Sequence, residues 1–157
     1  YYNPNNKKDY AEIEEEQHTN NGMHRETVDV IDCTQVINIW SKSRHKNARE
    51  KVLVILKDMI AIYKINGIPS MRPNVFTYTT VINTYARMGD YAGAEKVFMI
   101  QLKDYKKEHN IEAKPNVRTF TSMIDACSRS NRDNKPEIAI KMLNTINNWY
   151  ERGDLKE

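Results

Sequence analysis

One short phrase occurs three times along this chain at nearly constant spacing. It begins at Thr34, Thr79 and Thr121, and its copies read TQVINIWSK, TTVINTYAR and TSMIDACSR. From Thr34 to Thr79 is 45 residues, and from Thr79 to Thr121 is 42. A second phrase closes the first two units with Pro-Asn, at 73–74 and at 115–116. Repeats of this length predict stacked helical units rather than one closed globule.

Each unit is predicted to begin with a helix. In the second unit, Tyr78, Val81, Ile82 and Tyr85 recur at the spacing of one helical face, and the other two copies of the phrase repeat the pattern. Residue types that accept hydrogen bonds from free helix-start amides stand just ahead of that face. We therefore predict that the N-caps of the first helices are Asp32, Thr77 and Thr119.

A second helix is predicted to follow in each unit. Asn47 with Glu50 and Asn134 with Glu137 have the spacing of a capping box, and Gly89-Asp90 makes the corresponding turn in the second unit. The first two of these helices end towards a loop that contains proline, which cannot continue a helix. The prediction is an all-α fold with six helices, an α-solenoid of helix-turn-helix repeats that stack into a right-handed superhelix.

The chain divides into a leader and a repeat region. The leader combines polar residues with the acidic run EEE and has no sustained apolar period, so we expect it to be disordered or weakly helical. The first residue is Tyr rather than Met, which suggests a fragment of a longer protein. The predicted boundaries are 1–28 for the leader and 29–157 for the repeats, with unit one at 30–74, unit two at 75–116 and a truncated unit three at 117–157.

Charge is distributed unevenly between these parts. Residues 1–29 hold 3 basic and 7 acidic residues, whereas residues 30–157 hold 21 basic and 14 acidic residues. The basic repeats favour a polyanionic partner.

Several classes of function have no motif in the chain. Cys33 and Cys127 lie at different places in their units and have no metal-ligand spacing, either with each other or with the four histidines. There is no glycine-rich phosphate loop, no nucleophile in a recognisable turn, and no run of 18 apolar residues. We predict neither an enzyme nor a membrane protein, and expect no metal or cofactor.

Two stretches resemble the opening signature of the pentatricopeptide repeat family. They are PNVFTYTTVINTYARMG at 73–89 and KPNVRTFT at 114–121, and the resemblance extends over residues 30–157. The units are longer than the family's usual length of about 35 residues, within the helical-repeat range. The resemblance implies binding of single-stranded RNA, one base per repeat, in the groove lined by the first helices.

The resemblance also implies roles for particular residues. A residue early in the first helix and the last residue of the unit together read the base edge, and one at the start of the unit wedges between bases. Threonine and asparagine each offer donor and acceptor capacity, and the family's Thr and Asn pair implies adenine for units one and two. The base-reading positions are Thr34, Asn74, Thr79, Asn116 and Thr121; the base-stacking positions are Ile31, Phe76 and Arg118.

Three cations occupy one equivalent place late in the first helices: Lys42, Arg87 and Arg129. A cation there could contact the RNA phosphates, which supply most of the salt-sensitive affinity. It could equally be a favourable charge near a helix C-terminus. The sequence does not decide between these two roles.

A tetratricopeptide-like scaffold for protein partners is the alternative function, because it shares the two-helix unit. Its characteristic Trp, Leu-Gly and Tyr spacing is absent, whereas the Pro-Asn and Thr pairing is present. The family resemblance further implies a mitochondrial or chloroplast location and a role in RNA processing, stability or translation. Because so few units read too few bases for useful specificity, we expect a longer repeat array.

Overall fold

The computed structural model describes residues 28–43 and 45–155, and these residues form helices without a strand. The predicted leader, apart from Val28, lies outside the described residues. Two single turns of 3₁₀ helix, Pro69–Met71 and Ile111–Ala113, follow the second and fourth α-helices. The α-helices are α1 (Val30–Lys42), α2 (Ala48–Asn66), α3 (Val75–Arg87), α4 (Tyr91–Lys107), α5 (Val117–Arg129) and α6 (Lys135–Glu151).

The first helices begin earlier than predicted, so the predicted N-caps Asp32, Thr77 and Thr119 are wrong. The N-cap residues lie three positions before them, and each has the extended backbone that a cap requires. The predicted residues instead occupy the third helical position, where each side chain accepts a bond from the N-cap amide and closes a capping box. The observed N-caps are Asp29, Asn74 and Asn116.

The second helices are capped less well than predicted. Asn47 and Asn134 do occupy N-cap positions, but neither side chain caps its helix, so the expected capping boxes do not form. Their ψ angles of 8° and 33° depart from the extended conformation that turns an N-cap side chain towards the free amides. In α4, Asp90 does cap, accepting a 2.9 Å hydrogen bond from Gly93 N.

The helices pack as an α-solenoid, as predicted. The first helices stack in chain order, with α3 between α1 and α5, and each packs against the second helix of its own unit. Helices α2 and α4 also contact the first helix of the following unit. Side chains from both helices of the units fill the layer between them, with Ile37, Leu56, Tyr78, Ile82, Phe120 and Met123 fully buried.

A buried polar network joins the exit loops of units one and two. Tyr78 donates a 3.0 Å hydrogen bond to Asp104 Oδ2, and Asn110 Nδ2 donates to the same oxygen at 2.6 Å and to Pro73 O at 2.8 Å. Burial and the adjacent Asp104 carboxylate raise the pKa of the Tyr78 hydroxyl far above its ordinary value. Because these groups are almost completely buried, their mutual bonds hold the two loops in one arrangement.

Candidate functional site

A cavity of about 320 Å³ lies between α3 and α5, along the stretch of α3 from Val75 to Asn83 and at the start of α5. Seven of the nine residues that line it have polar side chains, so the wall offers hydrogen-bonding groups to a ligand. Five of the residues predicted for base reading or stacking meet here. The lining residues are Phe76, Thr79, Asn116, Arg118 and Thr121 from that prediction, together with Val75, Thr80, Asn83 and Ser122.

Asn116 and Thr79 are joined through a third residue, Thr119. The oxygen of the Asn116 amide accepts bonds from Thr119 N at 3.1 Å and from Thr119 Oγ1 at 3.3 Å. The hydroxyl of Thr119 lies 3.1 Å from that of Thr79 on the neighbouring helix. The predicted base-reading pair of unit two is therefore held in one hydrogen-bonded chain that crosses from α3 to the start of α5.

The same chain recurs one unit earlier. Asn74 Oδ1 accepts bonds from Phe76 N, Thr77 N and Thr77 Oγ1 at 3.0, 3.1 and 3.2 Å. The hydroxyl of Thr77 lies 2.7 Å from that of Thr34, which is also 2.6 Å from Val30 O. A repeated arrangement of this kind gives units one and two the same polar surface.

Capping determines which atom of each asparagine can meet a ligand. The amide oxygens of Asn74 and Asn116 are occupied by their own helix starts, whereas neither amide nitrogen donates a bond within residues 28–43 and 45–155. Asparagine therefore offers donors alone. The sequence-based view that the amide supplies both a donor and an acceptor is incorrect for these two residues.

The predicted stacking residues share one position, the second residue of their helix. Ile31 and Phe76 are 60% and 62% exposed, and Arg118 is also exposed. Phe76 and Arg118 belong to successive helices and line the same cavity. Both exposed side chains are therefore within reach of a group that occupies the cavity.

Within the described residues, Thr121 lacks the bond to a threonine of the next helix that Thr34 and Thr79 have. Its hydroxyl donates to Val117 O at 2.9 Å, as that of Thr34 does to Val30 O, and the residue is exposed on the cavity wall. Val75, Thr80, Asn83 and Ser122 also line the cavity but were not predicted. Asn83 had a usable signal in the sequence, since the repeated phrase places Asn38 and Asp125 at its equivalents.

The three predicted phosphate-contacting cations lie away from the cavity and differ in their contacts. They occupy the last turns of α1, α3 and α5, about 12 Å along the helix from the base-reading threonines at 1.5 Å per residue. Arg87 Nη1 donates to Ser41 O at 3.2 Å, and Arg129 Nε pairs with Asp125 at 2.8 Å. Lys42 is exposed and forms no ion pair with the rest of the described chain.

Neither a metal centre nor a membrane helix is found in the described ranges. No group of three or more His, Cys, Asp and Glu in residues 28–43 and 45–155 could hold a metal ion. Across the same two ranges, no helix is long and apolar enough to cross a membrane.

Stacked helical hairpins with a polar cavity between successive first helices define an α-helical repeat protein. The sequence model of the PPR repeat family matches residues 73–129, and that of a PPR repeat matches residues 118–145. Residues 73–145 therefore contain pentatricopeptide repeats, the family that the sequence resemblance predicted, and proteins of this family generally bind RNA. Searches of curated proteins and of solved structures gave no match.

Proposed function

We propose that this chain binds single-stranded RNA along α1, α3 and α5, with one base per unit. The cavity between α3 and α5 carries the proposal, because its polar wall contains a hydrogen-bonded reading pair and its edges hold two groups that can stack on a base. Single-stranded RNA offers unstacked bases with free edges, which is what such a cavity can recognise.

Adenine is the base that we propose for unit two. Its pairing edge presents an acceptor, N1, beside a donor, the N6 amino group. The free amide nitrogen of Asn116 can donate to N1, and the Thr79 hydroxyl can accept from N6. Unit one has the equivalent pair in Thr34 and Asn74, so we propose adenine there as well. For unit three, we propose Thr121 as the early-helix reader.

Stacking and charge complete the proposed interface. Phe76 and Arg118 can sandwich the base of unit two, and Ile31 can wedge in unit one, with an aromatic contact contributing about 1–3 kcal/mol per base. We assign Lys42, Arg87 and Arg129 to the phosphates at the far edge of the helix layer. The excess of basic residues in 30–157 adds long-range attraction.

The family supports a wider biological proposal. We propose that the chain is a non-catalytic part of a longer repeat array that acts in RNA processing, stability or translation in a mitochondrion or chloroplast. The alternative, a tetratricopeptide-like protein scaffold, predicts capture of peptides rather than RNA.

Phe76→Ala tests the RNA proposal directly. With an adenine-rich single-stranded RNA, fluorescence anisotropy should give an affinity that falls as salt rises from about 50 to 200 mM, because bound cations displace counterions. The substitution should cost about 1–3 kcal/mol of binding. Met99→Ala is the matched control, since Met99 is 58% exposed on α4, outside the cavity. Equal effects of the two substitutions, or binding that salt leaves unchanged, would exclude the proposed groove.

A further inference from the structure

A second cavity lies in the second-helix layer, between the ends of α4 and α6. Its volume is about 420 Å³, within the range of small-molecule sites. It shares no lining residue with the cavity between α3 and α5. Its wall combines aromatic rings with nitrogen-bearing side chains, chiefly Tyr105, Lys106, His109, Trp149 and Arg152.

The charges around this cavity are unbalanced. Asp154 is the one carboxylate among the described residues that line it, and it is directed to Lys114, 3.8 Å away. The nearby Glu108 is paired with Lys64 at 2.9 Å. Arg152 forms no side-chain hydrogen bond or ion pair within residues 28–43 and 45–155. Basic side chains therefore outnumber carboxylates in the described lining of the cavity, and Arg152 has no partner in that part of the chain.

Two aromatic residues, Tyr105 and Trp149, form part of the wall. Trp149 is 9% exposed and packs against Phe120 and Tyr105, with ring centroids 5.4 and 6.2 Å away. The Lys106 ammonium lies 5.7 Å from the centroid of the Trp149 ring. This contact holds a positive charge beside a fixed planar surface.

The unusual backbone conformation of His109 indicates that this residue has a function. Its φ is 52°, and no other non-glycine residue in the described part of the chain has a positive φ. Unit one has Gly67, with φ 63°, at the same distance before its 3₁₀ turn. Glycine adopts this left-handed conformation without strain, whereas a residue with a Cβ does not. His109 therefore adopts this conformation at a cost in free energy. Its side chain lines the cavity, and strained residues of this kind cluster at binding sites.

We propose that this cavity binds the phosphate group of a nucleotide. Lys106, His109 and Arg152 would donate to the phosphate oxygens, with the guanidinium supplying the bidentate geometry that phosphate accepts. The base would lie against Tyr105 at the side of the cavity. The phosphate could belong to a free nucleotide or to an RNA strand, and both carry the same recognised groups. This site is separate from the proposed groove.

Adenosine monophosphate, adenosine and inorganic phosphate are the probes for the full chain. We expect the monophosphate to shift the Trp149 indole N–H signal in a saturable way in NMR spectra, with Trp40→Phe identifying the other indole. Adenosine should bind at least about tenfold more weakly, because charge-assisted bonds to phosphate are lost. Displacement of the monophosphate by an RNA oligonucleotide would identify the phosphate as part of a strand, and a comparison of oligonucleotides with and without a 5′ phosphate would separate a terminal phosphate from an internal one.

Substitutions decide whether the named side chains form the site. Arg152→Ala should weaken binding of the monophosphate about tenfold, whereas Lys107→Ala, which removes a charge from the end of α4 outside the cavity, should not. His109→Gly should weaken binding similarly while leaving the thermal midpoint unchanged or a few degrees higher, because glycine relieves the left-handed strain.

Three results would overturn the proposal. They are an unmoved Trp149 signal with the monophosphate and with phosphate, equal losses in Lys107→Ala and Arg152→Ala, and full binding by His109→Gly. Phe76→Ala should leave the Trp149 response intact, so this test is independent of the groove.

Discussion

Replacing Asn116 with Asp should change the base preferred by unit two from adenine to guanine. A carboxylate can keep the cap, because one oxygen still accepts from Thr119 N, as the amide oxygen does at 3.1 Å. The second oxygen then stands where the amide nitrogen was. A group that donated to adenine N1 becomes an acceptor, and it meets the two adjacent N–H donors on the edge of guanine.

The stability of the fold provides the internal control. Asn116→Ala removes the cap bonds to Thr119 N and Oγ1 and should lower the free energy of unfolding by about 1 kcal/mol. For a chain of this length, that corresponds to a fall of about 3 °C in Tm. Asn116→Asp should leave stability within about 0.5 kcal/mol of the native value, since Asp and Asn cap about equally well.

The change in binding should be larger than the change in stability. Leaving a hydrogen-bonding group unpaired in a buried contact costs about 1–3 kcal/mol, or about 5- to 150-fold in affinity at 25 °C. The native array should favour adenine over guanine by a factor in that range. The Asp variant should reverse the order, and the Ala variant should discriminate poorly between the two bases.

Unit two embedded in a longer array allows a direct measurement. Fluorescence anisotropy with RNAs that differ at the matching base gives the discrimination, and thermal unfolding of the same proteins gives the cap contribution. Equal affinity for the two bases in both the native and Asp arrays would refute the reasoning. An Ala variant that loses stability but keeps its preference for adenine would also refute it, because Asn116 would then cap the helix without contributing to base recognition.

Other predictions concern the cations, the buried network and the turns. Arg87→Gln should weaken binding to all RNAs alike and reduce the slope of log K against log salt by about 1; a changed base preference would contradict this. Tyr78→Phe should lower the unfolding free energy by about 1–3 kcal/mol in urea, because Asp104 loses a donor. Because the pKa of Tyr78 in the folded state is raised, the stability that its hydroxyl contributes is present below about pH 10 and is lost at higher pH. Above about pH 10, the difference in unfolding free energy between the native chain and Tyr78→Phe should therefore be smaller. Gly89→Ala should cost about 2 kcal/mol or more, because the new Cβ would lie 2.7 Å from a backbone carbonyl of α5. Gly67→Ala, with the same left-handed backbone but open space, should cost about 1 kcal/mol.

The fold was predictable because the apolar pattern that produces it is periodic in the sequence. Apolar residues at helical spacing, repeated at about the same interval, require the same hairpin to form each time and to bury its face against the next one. The error in the N-caps arose because threonine and asparagine are both good capping residues. In Asn74-x-x-Thr77, the order of the two residues decides which one caps, as the spacing of a capping box indicates.

The chemistry of the site was harder to predict, since it depends on atoms rather than residue types. The sequence contains Asn116, but the orientation of its amide follows from the extended backbone at that position. Likewise, the repeat places Arg87 and Arg129 at equivalent positions, although one bonds to a neighbouring helix and the other to its own. The left-handed backbone at His109 was not predicted, although Gly67 at the equivalent place in unit one is a sequence signal for that conformation.

The chain of hydrogen bonds through Thr119 has a consequence for anyone who exchanges units between proteins of this kind. A module that is cut after Asn116 leaves behind the residue to which both Asn116 and Thr79 are bonded. In a chimera, a different side chain at that place would change the hydrogen bonding of a pair that was transplanted intact. The segment to move as one block is therefore the unit extended by the first turn of the next helix, through Thr119.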